Sequence, residues 1–388
     1  MVLTACCDID LAVKDLVQSA FGHAGQKCSA ASVAIVDKNI YENPIFKKQL
    51  LDAVQSLQVG AGYKYATSVG PIIKAAEHSL HRALTSLDEG EEWLLEPKQL
   101  DQAGLLWSPG IKTNVKPGSW SHLNEWFGPV LAIMISPDLK TSIKWQNATE
   151  FGLTAGIQSL DQGECEEWIE NVEAGNLYVN RGVTGAIVNR QPFGGWKRSS
   201  VGATAKAGGA NYVATLRNWN QMHHFLPMKE AANKWLNAVG KLAIDKSGLE
   251  VESNLQRYRR YTKGFLIRIE SGTSKDELDF LSWLKTELGI ITSLSSDTLI
   301  PGLANLVVES ASEFAEHAKE FDRARWLSSE IAPIHQLMQN GVSCDMRPIT
   351  SRGDIEMSRW FLEQSISITQ HRYGNTNAGP KPICEGLK

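Results

Sequence analysis

The run Val130-Leu131-Ala132-Ile133-Met134-Ile135 limits what this chain can become more than any other stretch. It is apolar at every position and ends at the turn-forming Ser136-Pro137-Asp138, so it has no polar face to offer to water. It is also too short to cross a bilayer, which takes about 20 residues. A strand covered on both sides fits it, as in a parallel sheet with helices packed above and below. A helix over Leu139 to Asn147 follows, then a second buried strand over Phe151 to Ile157. Gln162 to Glu173 reads as a helix with Trp168, Ile169 and Val172 inward, Gly175 takes the C′ place, and Asn176 to Asn180 is the next strand.

The earlier part repeats this alternation. Asp8 is an N-cap for a helix over Asp10 to Ala20. Asn43-Pro44 opens a helix that turns Phe46, Leu50, Leu51, Val54 and Leu57 to one side, and Gly60 ends it. The spacing predicts a further amphipathic helix from near Pro71, with Ile72, Ile73, Ala76, Leu80, Ala83 and Leu87 inward. Strands alternating with helices imply an α/β fold, an open, mostly parallel sheet with flanking helices.

Gln221 to Lys246 reads as a helical connector. Beyond it a smaller α/β unit is predicted: strand Gly264 to Ile269, helix Lys275 to Leu288, strand Asn305 to Val308, and a mostly helical stretch from Ser312 to Leu337. The chain then divides into residues 1–220, a connector over 221–250, and a C-terminal α/β extension and tail over 251–388.

A net charge of −4 gives no electrostatic case for nucleic acid or an anionic membrane. The opening VLTACCDID carries neither a basic segment nor a cleavage-site pattern, and no transmembrane segment is expected. The cysteines at 6, 7, 28, 165, 344 and 384 lack framework spacing, which points to reduced thiols and a cytoplasmic setting. Cys6-Cys7 lacks a second pair and His78 and His81 lack a third ligand, so no metal site is expected.

Cys28 stands apart from the other thiols. It lies in FGHAGQKCSAA, where Gly22 and Gly25 break a helix and small residues lead into Val33-Ala34-Ile35-Val36. A thiol on a tight bend among small residues can be reached by a substrate carbonyl, and its thiolate is the attacking form. Taken alone, the stretch favours a small buried cysteine in a glycine turn. Two further segments bear on it: Asn124-Glu125-Trp126-Phe127-Gly128-Pro129, and the glycine-rich run from Arg181 to Trp196. Long glycine-rich loops inside a compact domain are often functional.

GQKCSA, NEWFGPV and RGVTGAIVNRQPFGG, in this order and at these separations, resemble the aldehyde dehydrogenase superfamily. Thr184-Gly185-Ala186 with Gln191-Pro192-Phe193-Gly194-Gly195 is similar to the L-glutamate γ-semialdehyde (1-pyrroline-5-carboxylate) dehydrogenase branch found in bifunctional proline-utilisation A proteins. The likeness is dense over residues 1 to about 220, and the tail around SISITQHRYGN resembles the C-terminal extension of longer members. It implies that Cys28 attacks the aldehyde to form a thiohemiacetal, hydride passes to NAD, and water hydrolyses the thioester. Glu125 would hold the nicotinamide ribose hydroxyls, and Phe127 would pack beside the nicotinamide. Ser29 and the amides of Gly185 and Ala186 would anchor the substrate carboxylate, with Phe193 walling its aliphatic part. An intact member would be a homo-oligomer acting on a small aldehyde.

In that family the cofactor domain, the water-activating glutamate and an oxyanion-hole asparagine precede the nucleophile. Residues 1–27 contain no Glu and no Asn, and no strand–glycine-loop–helix unit for a pyrophosphate. The expectation is an N-terminally truncated piece that is inactive alone and completed by an upstream polypeptide carrying the cofactor domain. The alternative is a non-catalytic scaffold or assembly module derived from such an enzyme.

Overall fold

The computed structural model describes residues 1–188, 190–200, 205–217, 227–376 and 386–387. Two compact units emerge: Met1–Gln191 with Lys246–Asn254 and Ile366–Cys384, and Pro192–Asp245 with Leu255–Ser365 and Glu385–Lys388. The units interleave along the chain, where the sequence-based division runs linearly. Residues 221–226 of the expected connector lie outside the described residues, and its remainder holds the helix Met228–Trp235.

Within Met1–Gln191 of the first unit the strands are β1 (Val2–Leu3), β2 (Val33–Asp37), β3 (Glu92–Leu95), β4 (Gly110–Thr113), β5 (Val130–Ser136), the short β6 (Phe151–Gly152), β7 (Thr154–Gln158) and β8 (Asn176–Val179). The sheet order is β8-β7-β1-β2-β5-β4-β3. All of these pairs are parallel except β3 with β4. β5 sits inside the sheet with Val130 to Met134 all buried, as its unbroken apolar run requires. Helix α1 (Ile9–Phe21) starts where Asp8 accepts the amides of Asp10 and Leu11, and it buries Val13, Leu16 and Val17.

The helix expected from Pro71 forms only over His78–Thr85. The Ile72 amide donates to Leu105 O (2.9 Å) and the Ile73 amide to Gln26 Oε1 (2.9 Å). Both amides are thereby drawn out of any helical ladder, and Ile73 is left 88% exposed.

The second unit contains a five-stranded parallel sheet ordered Val307–Val308, Thr292–Ser296, Phe265–Arg268, Arg323–Trp326, Ser343–Asp345. Phe265, Ile267, Phe280, Leu284 and Trp360 pack in one cluster, and Leu266, Phe314, Trp326 and Leu337 in another. The stretch expected to be mostly helical from Ser312 to Leu337 is instead interrupted by the strand Arg323–Trp326. Arg323 and Arg325 of this strand are buried, and Arg325 donates to Glu356 Oε1 at 2.5 Å. No helix among the described residues is long and apolar enough to cross a membrane.

Candidate active site

Three features shape the bend that carries Cys28. His23 and Ala24 take left-handed backbone conformations (φ 55° each), which ends α1 sharply. Gly25 has φ +67°, and a Cβ there would lie 2.2 Å from Gly128 O, so only glycine lets the bend press against the Gly128 backbone. The Ala30 amide then donates to Lys27 O (3.0 Å), closing a turn with Cys28 and Ser29 at its centre. The Cys28 thiol is exposed on this turn, contrary to the buried cysteine that its stretch alone favours, while Ser29 is buried.

Gln26 joins the bend to the second motif. Its Nε2 donates to Phe127 O (3.0 Å) while its Oε1 accepts the Ile73 amide. Phe127 itself has φ +57° and is partly exposed, and Trp126 is buried between the exposed Glu125 and Phe127. Glu125 has no hydrogen-bond or ion-pair partner among the described residues. Its two acceptor oxygens are free to face a diol.

Ser19 of α1 joins the bend to the third motif. Its carbonyl accepts the Ala31 amide (3.0 Å), and its hydroxyl accepts the Val183 amide (3.1 Å). The segment reaches Ser19 because Asn180 turns the chain with φ +54° and locks its side chain to both backbone groups of Ser159. Val183 then folds over β7, with Cγ1 only 2.6 Å from where a Cβ on Gly156 would lie. Two residues on, Gly185 has φ +84° with open space around its α-carbon, and both it and Ala186 are exposed.

Residues far along the chain brace this loop, and no local signal marks them. Arg181 Nη1 donates to Glu252 Oε2 (2.8 Å) and Ser367 Oγ (2.6 Å), and Arg190 Nη1 donates to Glu252 Oε1 (3.0 Å). Gln191 accepts the Ile187 amide (2.8 Å) and donates to Asn254 Oδ1 (2.8 Å) and Ser367 Oγ (3.1 Å). Tyr178 on β8 also escaped the sequence reading. Its hydroxyl is buried without a partner among the described residues, and burial pushes it up to about 12, with the nearby Arg181 opposing and the charge of Cys28 adding to the shift.

Phe193 belongs to the second unit, where it pairs with Ala207 through two 2.9 Å backbone hydrogen bonds. The turn after it is held by Lys206, whose ammonium donates to Gly194 O. Burial lowers Lys206 to about 7, with the Glu363 carboxylate opposing.

The exposed Cys28 thiol, the free Glu125 carboxylate and the open Gly185 bend all hang on elements of one α/β sheet. Residues 1–219 match the aldehyde dehydrogenase family, and the chain belongs to it. Among curated proteins, it is 37% identical over 207 residues to a 1-pyrroline-5-carboxylate dehydrogenase of Bacillus subtilis, covering 53% of this chain and 39% of that protein. One from Geobacillus kaustophilus is 35% identical with the same coverage. Among solved structures, proline utilization A from Corynebacterium freiburgense is 40% identical with a TM-score of 0.80, over 96% of this chain and 39% of that one. A Thermus 1-pyrroline-5-carboxylate dehydrogenase with bound NAD is 33% identical with a TM-score of 0.50, over 55% and 40%. The chain thus spans about two-fifths of the length of these relatives.

Proposed function

We propose that this chain carries the nucleophile and substrate-anchoring part of an NAD-dependent L-glutamate γ-semialdehyde dehydrogenase. One observation carries the reading: the amides that follow the Cys28 turn and precede the Gly185 bend both end on Ser19, while Gln26 ties the same turn to Phe127. The relatives' names supply the substrate.

The Cys28 thiolate attacks the aldehyde carbon; a C–S bond forms and the carbonyl π electrons move to oxygen, giving a thiohemiacetal. The Cys28 amide is a candidate donor to the developing oxyanion. NAD, when bound, supplies the hydride acceptor. Glu125 would hold its ribose diol, and Phe127 would lie against the ring. Cys28 carries the oxidised substrate as a thioester, which water cleaves to L-glutamate. Ser29 and the backbone amides of Gly185 and Ala186 anchor the carboxylate at the far end of the substrate, since glycine lets main chain approach an anion closely.

The anchor has a selective test. In the enzyme complemented by a polypeptide with the cofactor fold, Ser29→Ala is expected to raise KM for glutamate semialdehyde about tenfold or more, the scale of one lost charge-assisted hydrogen bond, while propanal, which has no carboxylate, is oxidised as before. Equal effects on both aldehydes would remove Ser29 from the anchor. Residues 1–27 offer neither the glutamate nor the asparagine that the family's chemistry uses. Purified residues 1–388 are therefore expected to form no NADH with the semialdehyde, and turnover to return when a polypeptide with the cofactor fold and those two residues is added. Turnover by 1–388 alone would refute this division of labour.

A further inference from the structure

The proposed reaction makes no use of a buried ion pair in the first unit. Lys112 on β4 is fully buried, and so is Glu91, whose Oε2 is 3.5 Å from the ammonium. Lys112 Nζ donates to Ser86 O (2.7 Å) and lies 3.5 Å from Ser121 Oγ. Three indole rings surround it, with centroids 5.3 Å (Trp93), 6.0 Å (Trp120) and 5.8 Å (Trp126) from Nζ. Trp120 and Trp126 also contact each other at 5.8 Å, and Arg82 stacks on the outer side of this group at 4.2 Å from Trp120. A desolvated ammonium attracts indole faces strongly, because no water competes for either partner.

Trp126 connects this cage to the site. It is the buried residue between Glu125 and Phe127, and it is fixed by its Nε1 donating to Val130 O (3.2 Å) as well as by the cage. We infer that Lys112 is a positioning residue for the Glu125–Phe127 loop: its caged ammonium fixes the Trp126 ring and so aims Glu125 at a nucleotide ribose. This rests on the cofactor role proposed for Glu125. The loop has a backbone hold of its own in Gln26, and Gly128 abuts Leu80, so Lys112 governs the side-chain-bearing end of the loop rather than its existence. Burial lowers the affinity of Lys112 for its proton, with the nearby Glu91 carboxylate opposing.

The test removes both charges together, since taking one alone would strand the other in the interior. In residues 1–388, Lys112→Met with Glu91→Gln is expected to speed amide hydrogen exchange over residues 124–128 about tenfold, the scale of one desolvated cation–π contact. Exchange of β8, separated from β4 by four strands of the sheet, should stay unchanged. In the complemented enzyme the double variant should raise KM for NAD about tenfold at nearly constant kcat, a binding effect of the same size. Unaltered exchange over 124–128 in the double variant overturns the inference, and so does faster exchange everywhere. If the double variant does not fold, Trp126→Leu is the substitute: an unchanged KM for NAD in it overturns the inference, and a tenfold rise supports it. Glu125→Gln separates the two claims. An unchanged KM for NAD there refutes the cofactor role of Glu125 while leaving the exchange result on Lys112 standing.

Discussion

Cys28→Ala is expected to abolish NADH formation by the complemented enzyme, by about 10⁵-fold or more, the scale on which nucleophile removal acts. The fold should be untouched, because the thiol is exposed on its turn and the backbone bonds around it, Ala30 to Lys27 and Ala31 to Ser19, do not involve the side chain. Unfolding midpoints should coincide, and glutamate semialdehyde should protect the wild-type thiol from iodoacetamide. A Cys28→Ala variant with even one per cent of normal turnover would sink the mechanism. A Cys28 that labels slowly and is not protected by the aldehyde would favour the scaffold alternative.

Gly25→Ala should act on structure and chemistry together. The left-handed backbone at Gly25 costs an L-residue about 1–2 kcal/mol. The new Cβ would also meet Gly128 O at 2.2 Å, Gly128 C at 2.6 Å and Ala20 O at 3.0 Å. All three are main-chain atoms, so relief requires moving either the end of α1 or the loop that holds Glu125. A loss of about 3–4 kcal/mol is expected, at the upper end for single substitutions, together with slower alkylation of Cys28. Gly62→Ala is the control: Gly62 is exposed, has no neighbour within 4 Å of its would-be Cβ, and should shift the denaturation midpoint little. If the two variants behave alike, Gly25 does not shape the bend.

These two residues show how differently parts of the site were legible. Cys28 was visible as a thiol among small residues, and the order of the three motifs gave it a role. Its exposure was not visible, since the same small residues suit a buried cysteine equally well. Gly25 could be seen to break a helix, but its contact with Gly128, 103 positions on in the chain, was not. Tyr178 read as one more buried strand residue, and its lone hydroxyl shows only once the strand is packed. The Glu252, Asn254 and Ser367 side chains that brace the Arg181–Gln191 loop form no pattern in sequence at all.

Local chemistry settled part of the molecule before any folding. The unbroken run at Val130 had to become a doubly covered strand, and Asp8 and Asn43 had to cap the helices they precede, because burial pattern and cap geometry depend on neighbours a few residues away. Packing decided the rest. Ile72 and Ile73 have helix-like spacing, yet their amides are claimed by Leu105 and Gln26. Arg323 and Arg325 fall in a stretch expected to be mostly helical, yet they lie in a buried strand, with Arg325 paired to Glu356. In each case the deciding hydrogen bond joins residues more than thirty positions apart, and such partners are fixed by the chain path through space rather than by the order of side chains along it.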